Sequence, residues 1–363
     1  MGELTLKYLP SECLAFVTAP MVNQSDLPFR ILARKYGATL TYTQMYLAEN
    51  VVRDDGYRRA VLSDLESGTG ESLARPVVVQ LAGNDPGILV QAALMVQDHC
   101  DAIDLNLGCP QQRAMDGHYG GYLLGKRDWP LVESIVKALV AALSIPVHVK
   151  IRLCSPASVT PELAVRLARA GASVVTLHAR HVAARRRRKG PAELHWVGEV
   201  KRELTKNGLG HVKVLSNGNV RTLGDCEANL RMTGADGVMV GEAILGNPRL
   251  FDAAANTHPR NISLEYLDLC RQHPGTAPLP TVKQHIKYFF SWDIKHSRST
   301  YANVFFAALE ECDSDDAIEL LLNKVELISA WGSGDPLLNS QPDTTAPTSS
   351  AVSSPVSQVQ NAR

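Results

Sequence analysis

Net charge is absent from this chain: 37 lysines and arginines balance 37 aspartates and glutamates. No uniform positive field therefore draws it to nucleic acid or to an anionic membrane, and any polyanion contact must rest on a local patch. Paired cysteines are missing too. The seven, Cys13, Cys100, Cys109, Cys154, Cys226, Cys270 and Cys312, form no C-x-x-C pair and no cluster. That argues against a disulfide framework or a zinc site, and no bound metal is expected. The amino terminus lacks a basic-then-apolar secretory pattern, and Leu6 stands where a myristoylation motif needs Ser or Thr. No apolar run approaches the roughly 18 residues of a membrane span. The expectation is a soluble protein of a reducing compartment, cytoplasmic or nuclear, with no membrane partner.

What is present is core-forming material. Hydrophobic residues make up 45% and charged residues 20% of the chain, so a sizeable interior can form. From Cys13 to about Val240 one rhythm repeats: a short apolar or β-branched run, a polar or glycine loop, then an amphipathic helical stretch. The runs are Cys13 to Thr18, Leu40 to Tyr42, Pro76 to Gln80, Ala102 to Leu105, Val147 to Ile151, Val174 to Leu177, Val212 to Leu215 and Gly237 to Val240. Helical patterns between them cover Leu27 to Tyr36, Gly87 to Asp98, Trp129 to Ala142, Thr160 to Ala170 and Gly224 to Thr233. The second unit departs from the rhythm: Ala48 to Ala74 holds Asp54-Asp55-Gly56 and Gly68-Thr69-Gly70, which read as loop.

Strands alternating with crossover helices imply a parallel sheet, and eight units over about 240 residues fit a closed (β/α)8 TIM barrel better than an open sheet. After Phe251 helix-like stretches follow without strands: Leu264 to Cys270, Val282 to Trp292, Ala302 to Cys312 and Ala317 to Trp331. From Gly332 onward the chain is mostly Ser, Thr, Pro, Gln and Asn. The expected organisation is an α/β barrel over residues 1–252, a small helical domain over 262–332 and a disordered tail over 333–363.

Barrel enzymes build their sites at the C-terminal ends of the strands. Here those ends read Ala19-Pro20-Met21, Thr43-Gln44-Met45, Gln80, Asn106 with Gly108-Cys109-Pro110, Lys150 and Arg152, His178 and Arg180, Asn217-Gly218-Asn219, and Gly241-Glu242. Any one of them has a turn or packing explanation; their convergence on one face points to an active site. A flavin needs an amide along its pyrimidine edge, a cation near N1 and O2, and backbone donors with room for its phosphate. Gln80 and Lys150 suit the first two, and the glycines after the seventh and eighth runs suit the third. For Lys150 the plain alternative is a residue reaching solvent. Cys109 sits in a Gly-Cys-Pro turn. An ordinary thiol, with a pKa of about 8.5, stays largely protonated at neutral pH and can act as a general acid. A buried inert thiol or a thiolate nucleophile are its other readings. Cys154 reads as a packed small hydrophobe. His178 and His181 have a spacing that metal ligands use, yet nothing completes a set.

The run Asp104-Leu105-Asn106-Leu107-Gly108-Cys109-Pro110-Gln111 resembles the signature of dihydrouridine synthases. Ala19-Pro20-Met21 with Asp26, Val79-Gln80-Leu81, His148 to Arg152, Leu177-His178-Ala179-Arg180 and Ser216 to Val220 follow in the family's order, over roughly residues 13 to 335. Gln44-Met45, Cys100 to Asp104 and Gly117-His118-Tyr119-Gly120 look most like the eukaryotic branch acting on uridines 16 and 17 of the tRNA D-loop. The resemblance implies an FMN enzyme that uses NADPH and binds tRNA; a monomer is expected. Cys109 would protonate uracil C5 while FMN delivers hydride to C6. It implies FMN contacts from Gln80, Lys150, His178, Asn217, Gly218, Asn219, Gly241 and Glu242; Ala19, Pro20 and Met21 at the first strand end are expected to join them, and Asn106, Arg152, Arg180, Arg186 and Lys189 are expected to contact tRNA.

Two departures stand out. Many flavin barrels carry an arginine after the last-strand glycine, where this chain has Glu242, so the cation for the FMN phosphate is unassigned. The loop after His178 carries Arg185 to Arg188 and Lys189, a patch that reads as a solvated loop, a polyanion contact or a nuclear import signal. A uridine must leave its stack to meet the flavin, which asks for a basic groove, and Lys283, His285, Lys287, Lys295, His296 and Arg298 are expected on its other wall. Two rivals stay open: a flavin barrel acting on a small pyrimidine, and a catalytically silent tRNA-binding protein of the same fold.

Overall fold

Alternation of side chains along each strand decides the architecture. The computed structural model describes residues 7–65, 73–183, 190–254, 258–297 and 302–324. In chain order they form β1 (Phe16–Thr18), α1 (Leu27–Lys35), β2 (Thr41–Leu47), α2 (Ala48–Arg53), α3 (Asp55–Leu65), β3 (Val77–Ala82), α4 (Pro86–Val96), β4 (Ala102–Leu107), α5 (Gln112–Asp116), α6 (Trp129–Ala142) and β5 (Val147–Leu153). There follow α7 (Thr160–Arg169), β6 (Val174–His181), α8 (His195–Lys206), β7 (Lys213–Asn217), α9 (Leu223–Thr233), β8 (Gly237–Val240) and α10 (Glu242–Gly246). Four helices close the chain: α11 (Pro259–Gln272), α12 (Leu279–Ser297), α13 (Ala302–Glu311) and α14 (Asp315–Asn323).

All eight strands are parallel, in the order β1-β8-β7-β6-β5-β4-β3-β2. The remaining seam between β1 and β2 is bridged at Val17 and Leu40, where Thr18 N–H donates to the Leu40 carbonyl at 3.0 Å. The sheet is thus a TIM barrel. One parity of each strand faces the surrounding helices, as Ile103, Leu105, Val149, Ile151, Val175 and Leu177 do. The other fills the interior, apolar at the bottom with Val17, Leu40, Tyr42, Val78, Ala102, Val174, Leu215 and Met239. Higher up, the interior parity turns polar: register pairs Gln80 with Asp104, Asn106 with Lys150, Arg152 with His178, and His178 with Asn217.

Helix starts follow capping chemistry, each side-chain cap stabilising by about 1 kcal/mol. Asp26 accepts from Phe29 N–H at 3.0 Å ahead of α1, and Thr222 with Asp225 closes a capping box on α9. Two expectations are corrected here. The second unit is helical, because Asp54 is a cap that accepts from Tyr57 N–H at 2.9 Å, so the Asp-Asp-Gly signal marks a helix start. Its α3 buries Val61 and Leu65 and pairs Asp64 with Arg30 of α1 at 2.8 Å. The first strand is shorter than its apolar run, since a 3-10 turn occupies Ser11–Leu14. Gly68-Thr69-Gly70 and the tail lie outside the described residues.

Helices α11 to α14 share one hydrophobic cluster with the barrel: Tyr266, Leu267, Ile286, Phe289 and Phe290 pack with Phe29 and Leu32 of α1 and with Val238 and Val240 of β8. Side chains of this size contribute roughly 1.5–3 kcal/mol each on full burial. Asp26 ties the same junction, accepting from Tyr266 Oη at 3.1 Å and lying 2.8 Å from His285 Nε2. Among the described residues no helix is long and apolar enough to cross a membrane.

Candidate active site

A cavity of about 730 Å³ opens at the C-terminal ends of the strands. Its wall contains every described residue expected there: Ala19, Pro20, Met21, Gln80, Asn106, Cys109, Lys150, Arg152, His178, Arg180, Asn217, Gly218, Asn219, Gly241 and Glu242. Arg186 and Lys189 lie outside the described residues. Strand periodicity explains the convergence, since Lys150 and Arg152, or His178 and Arg180, stand two apart and so share a face.

The Cys109 turn is held from beneath and behind. Asn106 Oδ1 accepts from Gly108 N–H at 3.0 Å and Cys109 N–H at 2.9 Å. Arg152 Nε donates to the Gly108 carbonyl at 2.8 Å and its Nη1 to the His181 carbonyl at 3.2 Å. Cys109 is 8% exposed, among Met45, Ala82, Ala114 and Tyr119. Cys154, by contrast, is packed outside the barrel with Leu153 and Leu163, and burial pushes its thiol up to about 11.

The Lys150 ammonium makes no hydrogen bond or ion pair among the described residues. Burial lowers its pKa to about 8, Arg152 adding to the fall and Asp104 opposing it, so at neutral pH it is still mainly an ammonium. Arg152 is brought down to about 10 by burial and then by Arg180, and remains charged. Burial, then Lys150, Arg152 and Arg180, hold His178 well below its usual range, so its ring is neutral. Arg180 Nη1 stands 3.1 Å from His178 Nε2 and can only donate, which places the ring proton on Nδ1. Lower down, Tyr42 Oη lies 3.1 Å from His148 Nδ1, and burial takes His148 to about 3.

The mouth beside β7 is latched by Asn219, which sits at φ +55 and bonds the Ala192 backbone both ways, N–H to Oδ1 at 2.8 Å and Nδ2 to the carbonyl at 2.9 Å. A Cβ on Gly218, at φ +138, would come within 2.6 Å of Ala192 Cβ. Asn219 Oδ1 also accepts from Arg180 Nη2 at 3.0 Å. Asn106 and Asn219 therefore direct much of their amide capacity to loops, and sequence reasoning had assigned them to ligands alone.

Two further residues were missed. Asp104, fully buried below the cavity, accepts from Gln80 Nε2 at 2.7 Å. Arg221 lines the cavity after β7, and its guanidinium makes no hydrogen bond or ion pair among the described residues. With Lys150, Arg152 and Arg180 it makes four cations against one lining carboxylate, Glu242. The neutral chain thus concentrates positive charge at the mouth. On the expected helical wall only His285 is corrected, being fully buried against Asp26; Lys283 Nζ donates to the Glu310 carbonyl at 2.6 Å, and Lys287 pairs with the Glu310 carboxylate. Arg298 lies outside the described residues, as do the side chains of Lys295 and His296.

The family model described as Dihydrouridine synthase (Dus) matches residues 17–315. The chain belongs to the dihydrouridine synthase family. A Mus musculus member named tRNA-dihydrouridine(16/17) synthase NAD(P)(+)-like is 40% identical over 271 residues, covering 74% of this chain and 54% of its own length. A Schizosaccharomyces pombe member named tRNA-dihydrouridine(16/17) synthase is 36% identical over 283 residues, covering 74% and 67%. The chain thus spans about half the length of its mouse relative. Among solved structures, a 2-naphthoyl-CoA reductase complex shares the fold with a TM-score of 0.52 and 10% identity, over 65% of this chain and 49% of that one.

Proposed function

We propose that this dihydrouridine synthase reduces the C5–C6 double bond of uridine in the tRNA D-loop, at positions 16 and 17, with FMN as its cofactor and NADPH as electron source. The observation that carries the reading is Cys109, held on the rim of the same cavity that Lys150, Arg152 and Arg180 make cationic.

The residues present fit the cofactor. The cavity lies within the about 300–1,000 Å³ range of small-molecule sites. Gln80 keeps one N–H and one lone pair after its bonds to Asp104 and Asn106. Lys150 brings an unpaired ammonium, suited to the charge of a reduced flavin. Backbone at Gly218 and Gly241, with Ala19, Pro20, Met21, His178 and Asn217, completes the wall. Glu242 is set at the β8 end of that wall, so the cation for the phosphate is assigned to Arg221. When bound, FMN supplies the hydride.

The protein's own residues do the rest. Cys109 Sγ, packed against apolar neighbours on one side and lining the cavity on the other, supplies the proton destined for the pyrimidine C5. Arg152 and Arg180 hold the Cys109 and Asn219 loops while keeping the mouth positive for a phosphate backbone. His178 adds a neutral donor through Nδ1. Arg186 and Lys189, which follow β6 in sequence, are proposed to meet the tRNA backbone.

The test is incubation of the purified protein with unmodified tRNA and NADPH, read by nucleoside mass spectrometry. Uridine gaining two hydrogens at positions 16 and 17, with near-complete loss in Cys109→Ala, is the expected result. Absence of any gain in a protein that retains flavin and binds tRNA would overturn the reading.

A further inference from the structure

Below the cavity floor lies a carboxylate that the mechanism above does not use. Asp104 faces inward on β4, between its register neighbours Gln80 on β3 and His148 on β5, and is fully buried. Its Oδ2 accepts from Gln80 Nε2 at 2.7 Å, while its Oδ1 has no hydrogen-bond partner among the described residues. An apolar side chain would fill such a position without the penalty of an enclosed charge, so the carboxylate has a use.

That use is legible in the directions of three successive hydrogen bonds. An ionised carboxylate only accepts, whereas a side-chain amide donates from one end and accepts at the other. With Gln80 turning its NH2 toward Asp104, its Oε1 is left to accept from Asn106 Nδ2 at 2.7 Å. Asn106 then has only Oδ1 to offer the N–H groups of Gly108 and Cys109. Reversing Asn106 would set donor against donor at the turn that carries the thiol, and reversing Gln80 would set its NH2 against that of Asn106 and its oxygen against the carboxylate.

We propose that Asp104 is the positioning residue for the proton donor: as the fixed acceptor at the foot of a one-way chain through Gln80 and Asn106, it orients the Cys109 turn and the cavity-facing edge of the Gln80 amide. This rests on the roles given to Cys109 and the cavity under the proposed function. The groups around Asp104 are Tyr42 from β2, Gln80 from β3, Asn106 on its own strand, and His148 and Lys150 from β5. Burial raises its carboxyl to about 7, with the Gln80 hydrogen bond and the Lys150 charge pulling it back, so the purely accepting form is populated from neutral pH upward.

Asp104→Asn keeps the shape but lets the first link run either way, and Asp104→Leu removes it. Asp104→Asn combined with Gln80→Glu moves the obligate acceptor one step up the chain and restores the direction at Asn106. In the holoenzyme, Asp104→Asn is expected to keep its melting temperature within a few degrees and to retain flavin. Its tRNA-dependent flavin reoxidation should fall at least tenfold with the KM for tRNA unchanged. The rate at which iodoacetamide alkylates Cys109, followed by peptide mass spectrometry against Cys13 as internal reference, should change at least threefold and return toward wild type in the double variant. Wild-type alkylation at Cys109 in Asp104→Asn, or no recovery in the double variant, would overturn the proposal. The alkylation comparison needs no substrate, so it decides the matter even where wild type fails to convert uridine, a failure that would fall on the proposed function instead.

Discussion

Gly120 leaves no room for a side chain beside Cys109: a Cβ at Gly120 would lie 3.0 Å from Cys109 Cβ and 3.2 Å from its carbonyl oxygen. The backbone there has φ +64, and the next residue, Gly121, donates its N–H to that same carbonyl at 3.1 Å. The turn bearing the thiol is thus clamped from two sides, by Asn106 below and by the Gly120–Gly121 segment behind.

Gly120→Ala is expected to cost about 1–2 kcal/mol from the left-handed backbone alone, and to shift the thiol as the methyl group displaces Cys109. Urea unfolding should show the loss of stability. Turnover should drop at least tenfold with flavin content unchanged; a variant with full turnover would show that the clamp does not govern the thiol.

Lys150→Met separates stability from function. The folded-state pKa of Lys150 is lowered to about 8 from the usual 10.5, so the buried charge opposes folding at every pH below about 8 and is relieved as pH rises from there toward 10.5. The flavin-free variant should therefore melt higher than wild type at pH 7, with the gap closing by pH 10, while its flavin affinity falls at least tenfold. Melting curves at the two pH values and a flavin titration check both halves. A gap that widens with pH would contradict the sign.

Arg221→Ala should weaken FMN at least tenfold and leave riboflavin, which has no phosphate, unchanged; Arg221→Lys should fall between. Fluorescence-quenching titrations with the two flavins give the comparison. Equal losses for both would place Arg221 away from the phosphate.

His285→Ala should destabilise the protein by about 3 kcal/mol or more, since it opens a cavity against Phe29 and Tyr266 and strips Asp26 Oδ2 of its partner. Denaturant unfolding measures this directly. Flavin affinity of the folded fraction should be unaltered.

The barrel was legible because its strands alternate with capped helices, and the site because polar residues interrupt the interior parity at strand ends. That interruption also misled: β6 runs on through His178 to His181 and β5 through Leu153, beyond the apolar runs that marked them, because site residues replace core residues there. Residue type alone could not separate helix start from loop at Asp54, nor a basic RNA-facing histidine from His285, whose partner Asp26 lies 259 positions away. The same limit applies to Asp104. It sits inside the signature run, yet its link to Cys109 passes through Gln80 on another strand, and only pairing in space reveals it.

The cluster in which Phe29 and Leu32 of the barrel interlock with Tyr266, Phe289 and Phe290 sets the grain at which this molecule comes apart. Barrel and C-terminal helices, joined through this cluster, are expected to unfold as one cooperative unit and to share a common protection against amide exchange. An engineer seeking a minimal flavin scaffold by cutting after Phe251 would inherit a sticky apolar face on α1, β8 and α10, and would need to repaint that face before the shortened barrel could stay in solution.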